Sequence, residues 1–173
     1  MQKVSAGLLM YKIRNNQLEF FLAHSGGPFW KNKDEGAWGI PKGELNDKEE
    51  PLNAAKREFW EETGITAKEP FIPLKDITQK SGKIVHCWAF EGDWTGLLLG
   101  DSYVTMEHPK GSKKIIKFPE IRSYTMRGLR NRIITFPEVD KAGFFTLEKA
   151  KKMINPAQFE LLLRLKEHLE KTK

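Results

Sequence analysis

The sequence predicts an α/β fold, with strands before and after one central helix and an amphipathic helix at the end. Three observations carry this. Runs of strand length and apolar character lie at Val4 to Ile13, Leu18 to Ala23 and Ile84 to Phe90. A stretch beginning at Pro51 repeats its apolar residues at helical spacing, and Phe159, Leu162, Leu165 and Leu169 do so again near the end. At 173 residues the chain has room for one domain, residues 1–173, with two layers around a sheet.

Asn15-Asn16 separates the first two runs and predicts a hairpin-like turn between two strands. Gly26-Gly27-Pro28 through Glu35-Gly36 is polar and turn-rich and reads as a loop. Its pair Phe29-Trp30 suits either the rim of a pocket or the edge of a core. Trp38-Gly39-Ile40-Pro41-Lys42-Gly43 is a short, constrained entry to the next element. There Pro51 suits a first helical turn, Leu52, Ala54, Ala55 and Phe59 recur at helical spacing, and Gly64 is the residue type that closes a helix at positive φ. The helix should cover residues 51 to 63, its apolar side toward a core and Arg57, Glu58, Glu61 and Glu62 near its other face.

Ile84 to Phe90 is the strongest strand, with His86, Trp88 and Phe90 on one side and Val85, Cys87 and Ala89 on the other. Weaker strand signals occupy residues 97 to 105 and 114 to 118, separated by Pro109 and Gly111. The section from Arg122 to Arg132 is basic and has no readable secondary structure. Phe144-Phe145 predicts a final strand leading into Thr146, placed to cap a short helix that includes Lys149. Pro156 should open the last helix, whose stripe is read as core packing rather than a membrane or partner surface.

Composition narrows the function classes. An apolar content of 39%, with Phe 11, Trp 5 and Tyr 3, excludes a disordered, charge-rich chain. Lys plus Arg 29 against Asp plus Glu 23 gives a charge of +6, which suits nucleic acid and phosphorylated small molecules alike and selects neither. One cysteine, Cys87 in an apolar run, cannot form an internal disulfide and reads as a buried thiol. No apolar run of membrane-spanning length and no leader signal is present, so a cytoplasmic setting without membrane partners is expected. His24, His86, His108 and His168 are scattered without a zinc pattern, and neither phosphate-loop nor dinucleotide glycine motif occurs. Nothing nominates a nucleophile elbow.

Chemistry concentrates between Gly43 and Ile65. Glu58, Glu61 and Glu62 stand at i, i+3 and i+4, so their carboxylates share one side of the helix and repel one another. A divalent cation would turn that repulsion into binding, and oxygen donors of this kind suit Mg²⁺, with Mn²⁺ as a substitute. Arg57 can hold a carboxylate through its planar fork. A solvated acidic helix face is the plain alternative for Glu61-Glu62 taken alone; the glycine turn, the helix entry and the third acid at a set distance argue against it.

This segment resembles the signature of the Nudix hydrolases: glycine, five residues, glutamate, seven residues, arginine-glutamate, an apolar residue, any residue, two glutamates, any residue, glycine and an apolar residue. Gly43, Glu49, Arg57, Glu58, Phe59, Glu61, Glu62, Gly64 and Ile65 fill it without a gap over 23 residues. The resemblance implies an α/β/α sandwich with a mixed central sheet between helices. It implies Mg²⁺-dependent hydrolysis of a phosphoanhydride bond in a nucleoside diphosphate linked to another moiety. Glu58, Glu61 and Glu62 would supply the metal site together with the Gly43 carbonyl, with Glu58 assigned as base, and Glu49 would pair with Arg57 in support. The family often adds an acid shortly before a late strand; Glu138 fits that placement, with Glu107 and Glu120 as rivals.

The early strand, the Trp38 to Gly43 stretch and Glu138 look similar to the dinucleoside-polyphosphate branch, which cleaves molecules such as diadenosine tetraphosphate to ATP and AMP. Alternatives are a nucleoside triphosphate, ordinary or oxidised, a sugar nucleotide, a capped RNA, or an idle Nudix-fold protein that only binds nucleotide or RNA. Lys42 is a candidate phosphate contact. Phe29, Trp30, Trp88 and Tyr103 are candidate base-stacking aromatics, each also suited to a core or rim. Lys110, Lys113, Lys114 and Lys117 suit a polyphosphate or RNA backbone, or simply a solvated loop. Oligomeric state is open between a monomer and a small homo-oligomer.

Overall fold

In the computed structural model, residues 4–172 are described apart from 80, 95, 97, 99–102, 109–124 and 128–131. Strands β1 (Val4–Arg14) and β2 (Gln17–Ser25) form an antiparallel hairpin with Tyr11 opposite Phe20. Asn15 and Asn16 turn it at φ 49° and 60°, a conformation that asparagine tolerates better than most residues. The stretch read as an entry segment contains two short strands: β3 (Trp38–Gly39) pairs with β2, and β4 (Lys42–Glu44) with β1. Helix α1 (Pro51–Thr63) follows with the expected bounds.

Beyond α1, β5 (Ile72–Thr78) pairs antiparallel with β6 (Ile84–Glu91), which runs parallel to β1 with Trp88 opposite Leu8. Three strands, β7 (Tyr103–His108), β8 (Thr125–Arg127) and β9 (Arg132–Pro137), form a second sheet in the order β7-β9-β8. The chain then returns as β10 (Val139–Thr146) on the outer side of β2, giving a main path of β10-β2-β1-β6-β5. Helix α2 (Leu147–Met153), a 3₁₀ turn (Pro156–Gln158) and α3 (Phe159–Lys171) complete the chain.

Alternation along β1 divides the core. Ala6, Leu8 and Met10 join Phe21 and Phe90 beneath Ala54, Ala55 and Phe59 of α1. Leu9, with Leu22, Val85 and Cys87, meets Ala150 of α2 and Leu161, Leu162 and Leu165 of α3 on the opposite face. Both faces of the mixed sheet are thus covered by helices, as the α/β/α expectation requires. Burial pushes the Cys87 thiol up to about 12, which leaves it a packing group.

Several local expectations need correction. Thr146 precedes α2 but its side chain caps nothing; the capping side chain belongs to Asn155, whose Oδ1 accepts from the Ala157 N–H at 3.0 Å. Pro156 opens the 3₁₀ turn rather than α3 itself. β5 was hidden by Pro73, Lys75 and Asp76, and β8 and β9 lie in or beside the basic section that had no readable structure. The strand signal at 114–118 lies outside the described residues, as do Lys110, Lys113, Lys114, Lys117 and Glu120. No helix among the described residues is long and apolar enough to cross a membrane.

Candidate functional site

Pro51 occupies the first turn of α1, where its missing N–H costs nothing. At the other end Gly64 adopts φ 74°, and its N–H donates to the Trp60 carbonyl at 2.6 Å. With Phe59 fixed in the core, the helical repeat turns Glu58 and Glu62 toward the β4 edge. Both are buried, at 9% and 8% exposure, so the polar face expected of the helix is only partly solvated. The backbone of Gly43 lies directly against Glu58: a Cβ there would fall 1.9 Å from the carboxyl carbon, so only glycine admits the carboxylate.

Arg57 organises the acids around it. Its Nε and Nη2 donate to the two oxygens of Glu49 at 2.9 and 2.8 Å, and Nη2 also reaches the Glu44 carbonyl at 3.1 Å. Nη1 donates to Glu58 at 2.7 Å and to Glu61 at 3.1 Å. The fork therefore ties the β4–α1 loop to the helix. It holds the Glu49 carboxyl down at about 2, and the Glu49 bonds in turn raise the guanidinium above its ordinary value.

Glu58 is pushed up, first by burial and then by Glu61 and Glu138, against the lowering effect of Arg57. Glu62 is pushed up further, again mainly by burial, with Glu138 and Glu58 adding repulsion. Lys42 opposes this through its charge and through the dipole of its backbone N–H. Glu138, from the single residue between β9 and β10, is thereby drawn into the electrostatics of α1. Lys42, Glu62 and Glu138 share a cavity of about 240 Å³ with Trp30, Asn155 and Gln158.

Among the described residues no three carboxylate, imidazole or thiolate groups are arranged to hold a metal ion as they stand. Glu58 and Glu61 bond Arg57, while Glu62 feels the nearby Lys42 charge. The donor chemistry nevertheless fits a hard cation: Glu58, Glu62 and Glu138 are oxygen donors whose mutual repulsion a divalent charge would relieve.

The structure brings Gly43, Glu49, Arg57, Glu58, Glu61, Glu62, Lys42 and Glu138 into one neighbourhood. Trp30 is on the cavity wall, whereas Phe29, 58% exposed, is not among its lining residues. Trp88 packs against the apolar cluster under α1 and is not a wall of the cavity. Tyr103 begins β7 in the second sheet, where Glu107 also falls; their side chains lie outside the described residues.

Sequence reasoning missed two supports. His24, fully buried on β2, faces Asp140 of β10 at 2.5 Å through Nδ1, and its Nε2 bonds the Lys33 carbonyl at 2.7 Å. Its ring stands edge-on to Trp38 at 5.2 Å, so it fastens the aromatic loop between β2 and β3 beside the cavity. Gln158 is 3% exposed, and its Oε1 accepts from the Ile40 N–H at 2.9 Å. Its partner lies 118 positions away, and no local pattern in the sequence marks it.

A family model described as the NUDIX domain matches residues 2–165. The chain belongs to the Nudix family. It is similar to an RNA pyrophosphohydrolase of Bradyrhizobium sp., 26% identical over 132 residues, covering 70% of this chain and 79% of that protein. A second RNA pyrophosphohydrolase, from Bartonella henselae, is 36% identical over 66 residues, 38% of this chain; the match spans only 34% of that relative's length. Among solved structures, a binary complex of a C. elegans Ap4A hydrolase aligns with a TM-score of 0.62 at 20% identity, covering 96% of this chain and 98% of that one. The NUDIX domain of Shewanella oneidensis NrtR, complexed with ADP ribose, aligns at 0.57 and 13% identity, over 100% and 90% respectively. At such identities these likenesses speak for the fold.

Proposed function

We propose that the protein is a Nudix pyrophosphohydrolase that cleaves a phosphoanhydride bond in a nucleoside diphosphate linked to another moiety. The observation that carries this reading is the pair of buried carboxylates, Glu58 and Glu62, held against Gly43 and Lys42 beside a cavity that also receives Glu138. Burying like charges is costly, and a protein sustains it where the site has work to do.

Glu58, Glu61 and Glu62, with the Gly43 carbonyl, would hold Mg²⁺, or Mn²⁺ in its place. When bound, the cation would neutralise diphosphate charge and lower the pKa of a nearby water. The chain's own residues do the rest. Glu58, its proton affinity raised by burial, accepts the proton of the attacking water. Glu138 supplies the acid from outside the helix, aligning that water across the cavity. Lys42 meets a phosphate oxygen, and Arg57, braced by Glu49, keeps Glu58 and Glu61 in a fixed orientation.

The preferred substrate class is the dinucleoside polyphosphates, such as diadenosine tetraphosphate, cleaved to a triphosphate and a monophosphate. The fold's likeness to an Ap4A hydrolase over nearly the full chain supports it. The 5′ end of an RNA is the second reading, favoured by the names of the two curated relatives. A substrate panel with Mg²⁺ and Mn²⁺, its products resolved by chromatography, tests the choice. ATP plus AMP from diadenosine tetraphosphate supports the first reading, and 5′-monophosphorylated RNA from a triphosphorylated transcript supports the second. Turnover that survives unchanged in Glu62→Gln rejects the assigned site.

A further inference from the structure

We propose that Gln158 makes the cavity selective for a 6-oxopurine base, guanine and its relatives, over adenine. This deepens the reading above and rests on it for the position of the phosphates, which belong at the Glu62 and Lys42 end. A volume of about 240 Å³ falls below the ~300–1,000 Å³ of pockets that take a whole drug-sized ligand, so this cavity takes one part of a nucleotide. Trp30, 39% exposed and on the wall, offers an aromatic plane on which a base can stack.

Selectivity follows from one committed hydrogen bond. The Ile40 backbone N–H can only donate, so the Gln158 atom facing it at 2.9 Å must be the carbonyl oxygen. Turning the amide over would set an NH₂ against an N–H in a site where the residue is 3% exposed. The amide is therefore locked, and the group left over is Nε2. It has no protein partner, yet Ser5 Oγ is the sole enclosed side-chain polar atom without one among the described residues, so Nε2 opens onto the cavity that Gln158 lines. Asn155 repeats the pattern on the same wall: its Oδ1 is committed to the Ala157 N–H, leaving its NH₂. Ser25 and Gln79, elsewhere on the lining, can rotate to give or accept and so select nothing.

The two amides locked as donors read acceptors. Guanine and hypoxanthine offer O6 and N7 together, both acceptors; adenine offers N7 beside an N6 amino group that would oppose the amide. The base held here should therefore be a 6-oxopurine, which moves the preferred dinucleoside polyphosphate from the diadenosine to the guanosine form.

The test is calorimetric binding of GDP, IDP and ADP to the full chain, alongside kcat/KM for diguanosine and diadenosine tetraphosphates with Mg²⁺. GDP and IDP should bind alike and at least about tenfold tighter than ADP. Gln158→Glu, which keeps one oxygen for Ile40 and turns a second acceptor toward the ligand, should shift the preference toward ADP. Equal binding of GDP and ADP, or tighter binding of ADP, overturns the proposal, as does an unchanged preference in a folded Gln158→Glu protein. The wild-type series decides the question alone if that variant does not fold. Guanine preference in binding with no hydrolysis of any substrate would sink the assigned activity and leave the base selectivity standing.

Discussion

Helices α1 and α3 are both 13 residues long, and each packs one side against the same sheet, yet they bury different things. α3 buries Leu161, Leu162 and Leu165, each contributing about 1.5–3 kcal/mol by leaving water. α1 buries Ala54, Ala55 and Phe59 and with them Glu58 and Glu62, whose charged forms are disfavoured where they stand. The difference teaches where this fold places stability and where it gives some up. The α3 face fastens the sheet, and the α1 face uses the rigidity so obtained to hold carboxylates that would otherwise turn to water.

The sharpest way to separate the two faces is Glu62→Gln. Turnover with Mg²⁺ should fall by more than the ~10–100-fold that losing a group bonded to a metal ligand costs. The same change should stabilise the cation-free protein, since it removes a carboxylate whose charged form burial and the neighbouring acids disfavour. That gain appears as a higher melting point in differential scanning fluorimetry with chelator. A lower melting point would mean that the carboxylate, and not its loss, steadies α1.

Leu162→Ala on α3 should do the reverse, costing about 2–5 kcal/mol in a urea titration with kcat nearly unchanged below the unfolding midpoint. A large fall in kcat in the folded protein would show that α3 bears directly on the chemistry. Arg57→Ala lies between them. It releases Glu49, Glu58 and Glu61 together and should cost about 2 kcal/mol, less than a fully buried pair because the guanidinium is 26% exposed. Its turnover should fall with little change in KM, because the lost bonds orient acids rather than bind substrate.

Acidity gives the comparison a second axis. Glu62 has a folded pKa above its unfolded value, so the cation-free protein carries a penalty at high pH that is relieved as pH falls toward the ordinary carboxylate range of ~4.3. Glu49 has the opposite sign: its contribution is present above that range and is lost as pH falls toward about 2. Chemical denaturation across pH, with and without Mg²⁺, should therefore show the cation stabilising most where Glu62 is ionised. Glu62→Gln should flatten that branch and leave the acid limb intact. The smallest effect is expected from Gly64→Ala, about 1 kcal/mol for placing a side chain at φ 74°, read as a shift in urea midpoint.

How much of this was legible beforehand tracks the range of the interactions. The bounds of α1, its Gly64 cap and the Asn15-Asn16 turn depend on neighbours in sequence, and all were readable. So was the α3 stripe. β5 was not, because its pairing with β6 overrides the discouraging local signals of Pro73, Lys75 and Asp76. Nor were Gln158 and His24 readable as site supports: the first bonds a backbone group 118 positions away and the second a carboxylate 116 positions away, and neither leaves a periodic trace. The acids of α1 were visible as a set, but the capture of Glu58 and Glu61 by Arg57, and the influence of the Lys42 charge on Glu62, emerged only from the folded geometry.

Glu138 is the whole of the connection between β9, in the smaller sheet, and β10, in the larger, and its carbonyl is pinned by the Gly26 N–H at 2.8 Å. That bond fastens the backbone of the acid to the residue that follows β2, so the larger sheet helps to set where its carboxylate stands.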